Sequence, residues 1–345
     1  MKVSFLVTYY NQEQYVRQSM DSLLAIEKPA EWEIIVGDDG STDGTVDIVN
    51  EYIRNDPEHI RLYVMPREEG KRYNSIKRAS ANRLNIIERC SGDCFCMLDG
   101  DDFYFDTRFV LEAIDVLNQN DDVSVVSFGY SEFRDGTFEK ETLLPPGVGP
   151  RVDTKLYIRD FYLHIGAGVH KLRWGQDRID FLKKLESFDD NSIMMNSLNY
   201  GDMYYINRSV YAYRQTGESV YTSMQSLEKA ALNTLGCDIQ KLIIDQSGEL
   251  NERCKRAILI VYTGRNKIQS VLGDSKYNQY IEECKMIDNA IPDAVSYKLL
   301  VYDNLSKREQ KEVRKLVWRA FLQAVCKLPR KLLFRMQKVG SPAKN

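Results

Sequence analysis

No uninterrupted apolar run in this chain approaches the roughly 18 residues of a membrane-spanning helix. A spanning segment is therefore not expected. Nor is a signal peptide, because Met1-Lys2-Val3-Ser4-Phe5 enters a strand pattern at once. The seven cysteines include no C-x-x-C pair. Cys94 and Cys96 sit at strand spacing in an apolar stretch, which suits buried thiols better than zinc and points to a reducing, cytoplasmic setting. No G-x-G-x-x-G opens the first helix and no G-x-x-x-x-G-K-[ST] occurs, so a usual dinucleotide fold and a P-loop are both disfavoured. Internal repeats and low-complexity segments are absent as well.

What is present suffices for a large core. The chain has 345 residues, 43% of them hydrophobic, enough for two domains or for one with an appendage. Net charge is −3 but unevenly placed. Residues 306–345 carry twelve Lys/Arg against two Glu, leaving the other 305 residues at −13. A basic tail on an acidic body suggests an anionic surface as partner, and the acidic body disfavours nucleic acid.

Strands and helices alternate through the first part of the chain. Residues 3–8 form an apolar strand-length run, and a helix follows with Tyr15, Val16, Met20 and Leu23 on one face and Asn11 as a plausible N-cap. Further strands are expected at residues 32–36, 60–64, 94–98 and 123–128. Helices are expected after Thr45, from about Asn74 to Arg89, and around Phe109–Leu117. This alternation implies a mainly parallel sheet with helices on both faces, in which ligands gather at the carboxyl ends of the strands. Three polar clusters fall there: Thr8–Asn11, Asp38–Ser41 and Asp99–Asp102. Beyond Pro145-Pro146-Gly147 the pattern is less regular. His164–His170 suggests a returning strand, Tyr204–Ile206 and Val210–Tyr213 suggest two short ones, and Gly201 suggests a helix C-cap. From about Met224 the texture is helical.

Asp99-Gly100-Asp101-Asp102 is the most demanding stretch. Three carboxylates in four residues repel one another unless a cation sits among them, and a hard divalent ion such as Mg²⁺ or Mn²⁺ suits oxygen ligands. The competing explanation is a polar turn with Asp102 capping the next helix.

Together, VSFLVTYYNQEQYV, EIIVGDDGSTDGTVDIV and GDCFCMLDGDDFYFD, with a weaker FDDNSIMMNSLNYGDMYYINRSVYAYRQTG, resemble a family-two glycosyltransferase of the GT-A fold over roughly residues 3–215. The resemblance implies a Rossmann-like, mixed but mainly parallel α/β sheet in residues 1–222, with a nucleotide-binding half 1–110 and an acceptor half 111–222. A helical C-terminal region, 223–345, lies outside it. It implies inverting transfer of a sugar from a nucleotide diphosphate-sugar, UDP favoured, to a carbohydrate or lipid-linked acceptor in polysaccharide or glycolipid assembly.

Carried onto this sequence, the resemblance places Thr8, Tyr10 and Asp39 at the nucleotide, with Lys71 and Arg72 as nearby cations and Lys77 and Arg78 as rivals for that role. Asp101 would hold Mn²⁺ or Mg²⁺, with Asp99 reaching the ribose or the ion's water shell. Asp190 would be the general base and Asp189 its reserve, in a place where the family usually has Glu-Asp. Many relatives add a His ligand after the Tyr-Arg pair, but here Tyr213-Arg214 is followed by Gln215-Thr216-Gly217. Neither His164 nor His170 receives a role, and Trp174 either stacks on a sugar or belongs to the core. Residues 306–338 form a basic amphipathic stretch, broken at Pro329, that fits an anionic membrane surface or a protein partner equally well, which would make the enzyme peripheral on the inner face of the membrane. Two rival functions remain at this point: a nucleotidyltransferase using the same acidic loop, and a non-catalytic glycan-binding scaffold.

Overall fold

The computed structural model describes residues 1–71, 73–186, 188–216 and 224–326, the last four by backbone alone. The chain divides into two units, Met1–Ser219 and Val220–Asn345. The first is a mixed, mainly parallel α/β layer structure, as the alternation predicts.

Strands β1 (Val3–Tyr9), β2 (Trp32–Asp38), β3 (Ile60–Val64) and β4 (Cys94–Asp99) run parallel in the order β3-β2-β1-β4. Between them lie helices α1 (Glu13–Ala25), α2 (Thr45–Asn55) and α3 (Ser75–Ile87). Near-continuous apolar runs suit strands covered on both faces. Phe5, Leu6, Val7, Phe95, Met97 and Leu98 are all fully buried. In this register Thr8 lies opposite Gly37 on one side and Asp99 on the other. The three polar clusters therefore meet at one edge of the sheet.

The sheet continues through β5 (Phe103–Tyr104), β6 (Val123–Arg134), β7 (Thr137–Thr142), β8 (Arg151–Val152), β9 (Gly168–Lys171) and β10 (Asp202–Arg214). Strand β9 runs antiparallel between β4 and β6, so the His164–His170 stretch returns as a turn plus a short strand. The two short strands expected after residue 203 are one strand, β10, whose pairing with β6 shifts register between Ile206 and Ser209. That bulge explains the polar interruption at Asn207-Arg208. Helix α4 (Phe109–Gln119) is as expected, whereas α5 (Thr154–Asp160) and α6 (Gln176–Leu185) were not legible. Helix α7 (Asp190–Leu198) ends on Asn199, not on Gly201, whose backbone packs against Asp122.

Asn11 is not the N-cap of α1; Gln12 is. Asn11 instead takes φ +50, where its short polar side chain is tolerated. From there its backbone N–H donates to Ser41 Oγ at 2.8 Å and its Oδ1 accepts from the Thr42 N–H at 2.8 Å. Trp174 is core, packed edge-on against Phe95 and Phe188. Cys90, Cys94, Cys96, Cys237, Cys254 and Cys284 are free.

In the second unit, α8 (Ser226–Ile243), α9 (Ser247–Gly264), α10 (Ile268–Leu272), α11 (Asp274–Ala290), α12 (Ser296–Leu300) and α13 (Lys307–Cys326) follow one another. Buried Asp238 accepts from the Val295 and Ser296 N–H groups and pairs with Lys241 at 2.8 Å. Both charges are therefore satisfied, as buried charges must be. No helix among the described residues is long and apolar enough to cross a membrane.

Candidate active site

Asp38 and Asp39 end β2 with different tasks. Asp38 braces its own turn: Oδ1 accepts from the Gly40 and Ser41 N–H groups at 2.9 and 2.8 Å, and Oδ2 accepts from Ser41 Oγ at 2.6 Å. Position 40 suits glycine twice over: its φ is +75, and a Cβ there would lie 2.8 Å from the Met65 carbonyl. Asp39 faces the site between two guanidiniums. Arg67 Nη2 reaches its Oδ2, and Arg78 Nε donates to its Oδ1 at 2.5 Å. Arg67 also stacks on Tyr10, 3.9 Å from the ring centre, and Arg78 lies over Tyr73. Tyr10 is 43% exposed, an aromatic face at the mouth of the site.

The acidic loop leaves β4 against the end of β1. Gly100 N–H donates to the Thr8 carbonyl at 3.0 Å, which holds the loop beside the Asp39 turn. A Cβ on Gly100 would meet the Tyr9 ring at 2.1 Å. Tyr9 cannot swing aside, since it is buried with its hydroxyl on Ser19. Gly100→Ala should therefore cost about 1–3 kcal/mol of stability by overpacking. An unchanged urea midpoint would show that the loop yields freely.

The three carboxylates of this loop sit in three environments. Asp102 is buried, its Oδ2 accepting from the Tyr211 hydroxyl at 2.5 Å and its Oδ1 from the Arg214 N–H at 2.6 Å. Burial, then repulsion from Asp101 and Asp99, pushes its carboxyl well above the usual range. Asp102 thus ties the loop to β10, and Arg214 Nε also donates to the Asp101 carbonyl at 2.5 Å. Burial pushes Asp99 upward too, but the Arg83 guanidinium, then His164, then hydrogen bonds from Arg83 and Thr8 outweigh it and hold the carboxyl below the usual range. Burial and then Asp99 raise Asp101.

Arg83 connects this loop to the second half of the sheet. Its Nη2 donates to both Asp99 oxygens, at 2.8 and 3.1 Å, and its Nη1 lies 3.0 Å from Asp190 Oδ1. The placement has a local cause. Phe188 N–H donates to Ser80 Oγ at 3.0 Å, which pins the start of α7 to α3, the helix that carries Arg83. Asp189 caps α7, accepting from the Ser192 N–H at 2.8 Å, which leaves Asp190 in the first turn facing the cluster. Burial, then the neighbouring Asp99 and Asp189, outweighs Arg83 and His164 and raises the Asp190 carboxyl above its usual range. Its Oδ2 lies 3.5 Å from the Tyr162 hydroxyl and 3.7 Å from His164 Nε2.

Asp99, Asp102 and His164 bring ligand atoms within 4.8 Å of one another. Asp101, the expected principal metal ligand, is not in that group. The donor chemistry of the group favours bracing over ligation. Both Asp102 oxygens already accept hydrogen bonds. His164 Nδ1 accepts from the Gly166 N–H at 3.2 Å, which places the ring hydrogen on Nε2, facing Asp190 Oδ2 at 3.7 Å. Asp101 has no hydrogen bond to another side chain among the described residues, so it is the carboxylate of the loop left to offer a divalent ion hard oxygen donors, whereas Asp99, like Asp102, already accepts hydrogen bonds on both oxygens.

The site therefore brings together Thr8, Asp39, Asp99, Asp101 and Asp190, with Tyr10 at its mouth. Lys71 pairs with Glu68 at 2.6 Å in its own loop, and Arg72 lies outside the described residues. The cations at Asp39 are Arg67 and Arg78. Of these only Arg78 was a rival in the sequence reading, while Arg67 and Arg83 were missed. His164, left without a role, is buried here and stacks on Tyr211.

A family model, Glycosyl transferase family 2, matches residues 4–180, just over half of the chain. EpsE of Bacillus subtilis (strain 168) is 28% identical over 154 residues, which is 45% of this chain and 52% of EpsE. Poly-beta-1,6-N-acetyl-D-glucosamine synthase of Staphylococcus epidermidis is 37% identical over 101 residues, 29% of this chain and 21% of that protein. The chain thus matches about half the length of these curated relatives, or less. Among solved structures, S. aureus TarS 1–349 in complex with UDP superposes with a TM-score of 0.57 at 18% identity, covering 94% of this chain and 92% of that one. The shared fold is of the GT-A type.

Proposed function

Because this chain belongs to glycosyl transferase family 2, we propose that it moves a sugar from a nucleoside diphosphate-sugar, with UDP as the nucleotide, to an acceptor hydroxyl in polysaccharide or glycolipid assembly. The observation that carries this reading is the single guanidinium of Arg83 shared by Asp99 and Asp190. It joins the acidic loop at the donor side to a carboxylate suited to deprotonate an acceptor. The choice of UDP is supported by S. aureus TarS, which shares the fold and has been solved with UDP and with UDP-GlcNAc.

Each residue has a task in this reading. Asp39 accepts from the base N–H groups, Tyr10 offers a ring face, and Thr8 orients Asp99 toward the ribose. Asp101, with Asp99 through the ion's water shell, would hold Mn²⁺ or Mg²⁺, which when bound would neutralise the diphosphate as it leaves. Asp190 Oδ2 takes the acceptor's proton as the new C–O bond forms and the bond to the diphosphate breaks. A base on the face opposite the leaving group gives inversion. A carboxyl raised above its usual range makes a stronger base than an exposed aspartate.

A thermal-shift panel of nucleoside diphosphates and their sugars, with and without Mn²⁺, tests the donor half. One nucleotide should stabilise the protein only with the ion present, by about 2.7 kcal/mol at a hundredfold excess over Kd. Asp101→Ala should remove that gain. A flat panel for the unmodified protein would overturn the proposal.

A further inference from the structure

Helix α13 has two unlike faces. Val313, Val317 and Ala320 are buried within its own unit. The other face exposes Trp318, Phe321 and Leu322, at 59%, 44% and 44%. Trp318 is the most exposed large apolar side chain among the described residues, and its ring stacks on Phe321 with centroids 5.6 Å apart. Lys311, Arg314 and Lys315 precede Trp318 by seven, four and three positions, so they lie on the same face, one to two turns back. Of these, Lys315 pairs with exposed Glu312 at 2.8 Å, and Arg314 Nε donates to the Gln310 carbonyl. The described helix is followed in the sequence by residues 327–345, which hold six Lys/Arg and no acid.

We propose that this face of α13 docks on an anionic lipid bilayer, with Trp318 and Phe321 entering the headgroup layer. Two features fit one planar partner. Indole rings settle at the boundary between headgroups and hydrocarbon, where an apolar body and a polar N–H are both accommodated. Cations just behind them meet the negative surface potential of anionic lipids, and the six cations that follow in the chain add to that attraction. A soluble acidic partner would satisfy the charges but would not account for an aromatic pair left so exposed. The helix lies on the surface and does not cross it, consistent with its charge content. The inference does not depend on the donor site.

Vesicle co-sedimentation of the full chain tests it, with phosphatidylcholine alone and with added phosphatidylglycerol. The protein should bind only the anionic vesicles, and its tryptophan emission should shift to the blue. Trp318→Phe should keep binding and lose that shift, because Trp174 is buried and Trp32 is half-buried between His59, stacked at 4.1 Å, and Lys28. Trp318→Ser with Phe321→Ser should weaken binding by roughly tenfold or more without changing thermal stability. Full binding by that double variant would overturn the proposal, because residues 327–345 would then suffice. Absence of vesicle binding by the unmodified chain would overturn it too. So would a dimer that the double variant converts to monomer while vesicle binding persists, which would make the face a contact between copies.

Discussion

Asp190→Asn is expected to leave nucleotide binding intact and lower sugar transfer by about 10²–10⁴-fold, the range for losing a positioned general base. Asparagine is nearly the same size and can still offer an oxygen to Arg83 Nη1, which lies 3.0 Å from Asp190 Oδ1. It cannot accept a proton at neutral pH. The adjacent position supplies the control. Asp189 is occupied as the cap of α7, and asparagine caps about as well, so Asp189→Asn should change both stability and transfer little. Unimpaired transfer by the Asp190 variant would remove that residue from the mechanism.

Arg83→Gln is expected to cost about 3 kcal/mol of folding stability and most of the activity. Arg83, Asp99 and Asp190 have side chains only 13%, 25% and 20% exposed. Taking one partner from a largely buried ion pair leaves uncompensated charge, and here two carboxylates lose the same cation beside Asp101 and Asp102. Residual exposure moderates the loss, which places it toward the low end of the range for buried pairs. Mn²⁺ should restore part of the stability of this variant, because a divalent ion can replace the missing positive charge. Urea denaturation with and without the ion measures both effects. A loss well under 1 kcal/mol would mean that water already screens the cluster.

Much of the sheet and the three polar clusters at its strand ends were readable without coordinates, and the reason is local. An apolar run such as Cys94–Leu98 has few alternatives to a covered strand, and edge strand β3, with only Ile60 buried, still occupies the expected residues. Parallel neighbours then force Thr8, Gly37 and Asp99 into register. What could not be read depended on distant partners. Arg83 is one of several charges on a polar helix, and nothing nearby says which carboxylate it meets. That choice depends on a hydrogen bond between Ser80 and Phe188, 108 positions apart. Arg67 sits in a loop whose other cations, Lys71 among them, look equally suitable. Helix α6 escaped notice because only Ile179 and Leu182 are buried in a largely polar stretch. Strand β10 looked like two pieces because the bulge admits polar side chains in mid-strand.

Helix α3 carries Arg78 toward Asp39 and Arg83 toward Asp99 and Asp190, and five residues of helix separate these two arginines by only about 7–8 Å along its axis. A short stretch of regular helix behaves as a stiff lever. A nucleobase that takes Asp39 as proposed competes with a guanidinium anchored on the helix that also holds Asp190 through Arg83. Discrimination between nucleotides should then surface in kcat as well as in KM, with a mismatched donor bound yet turned over slowly.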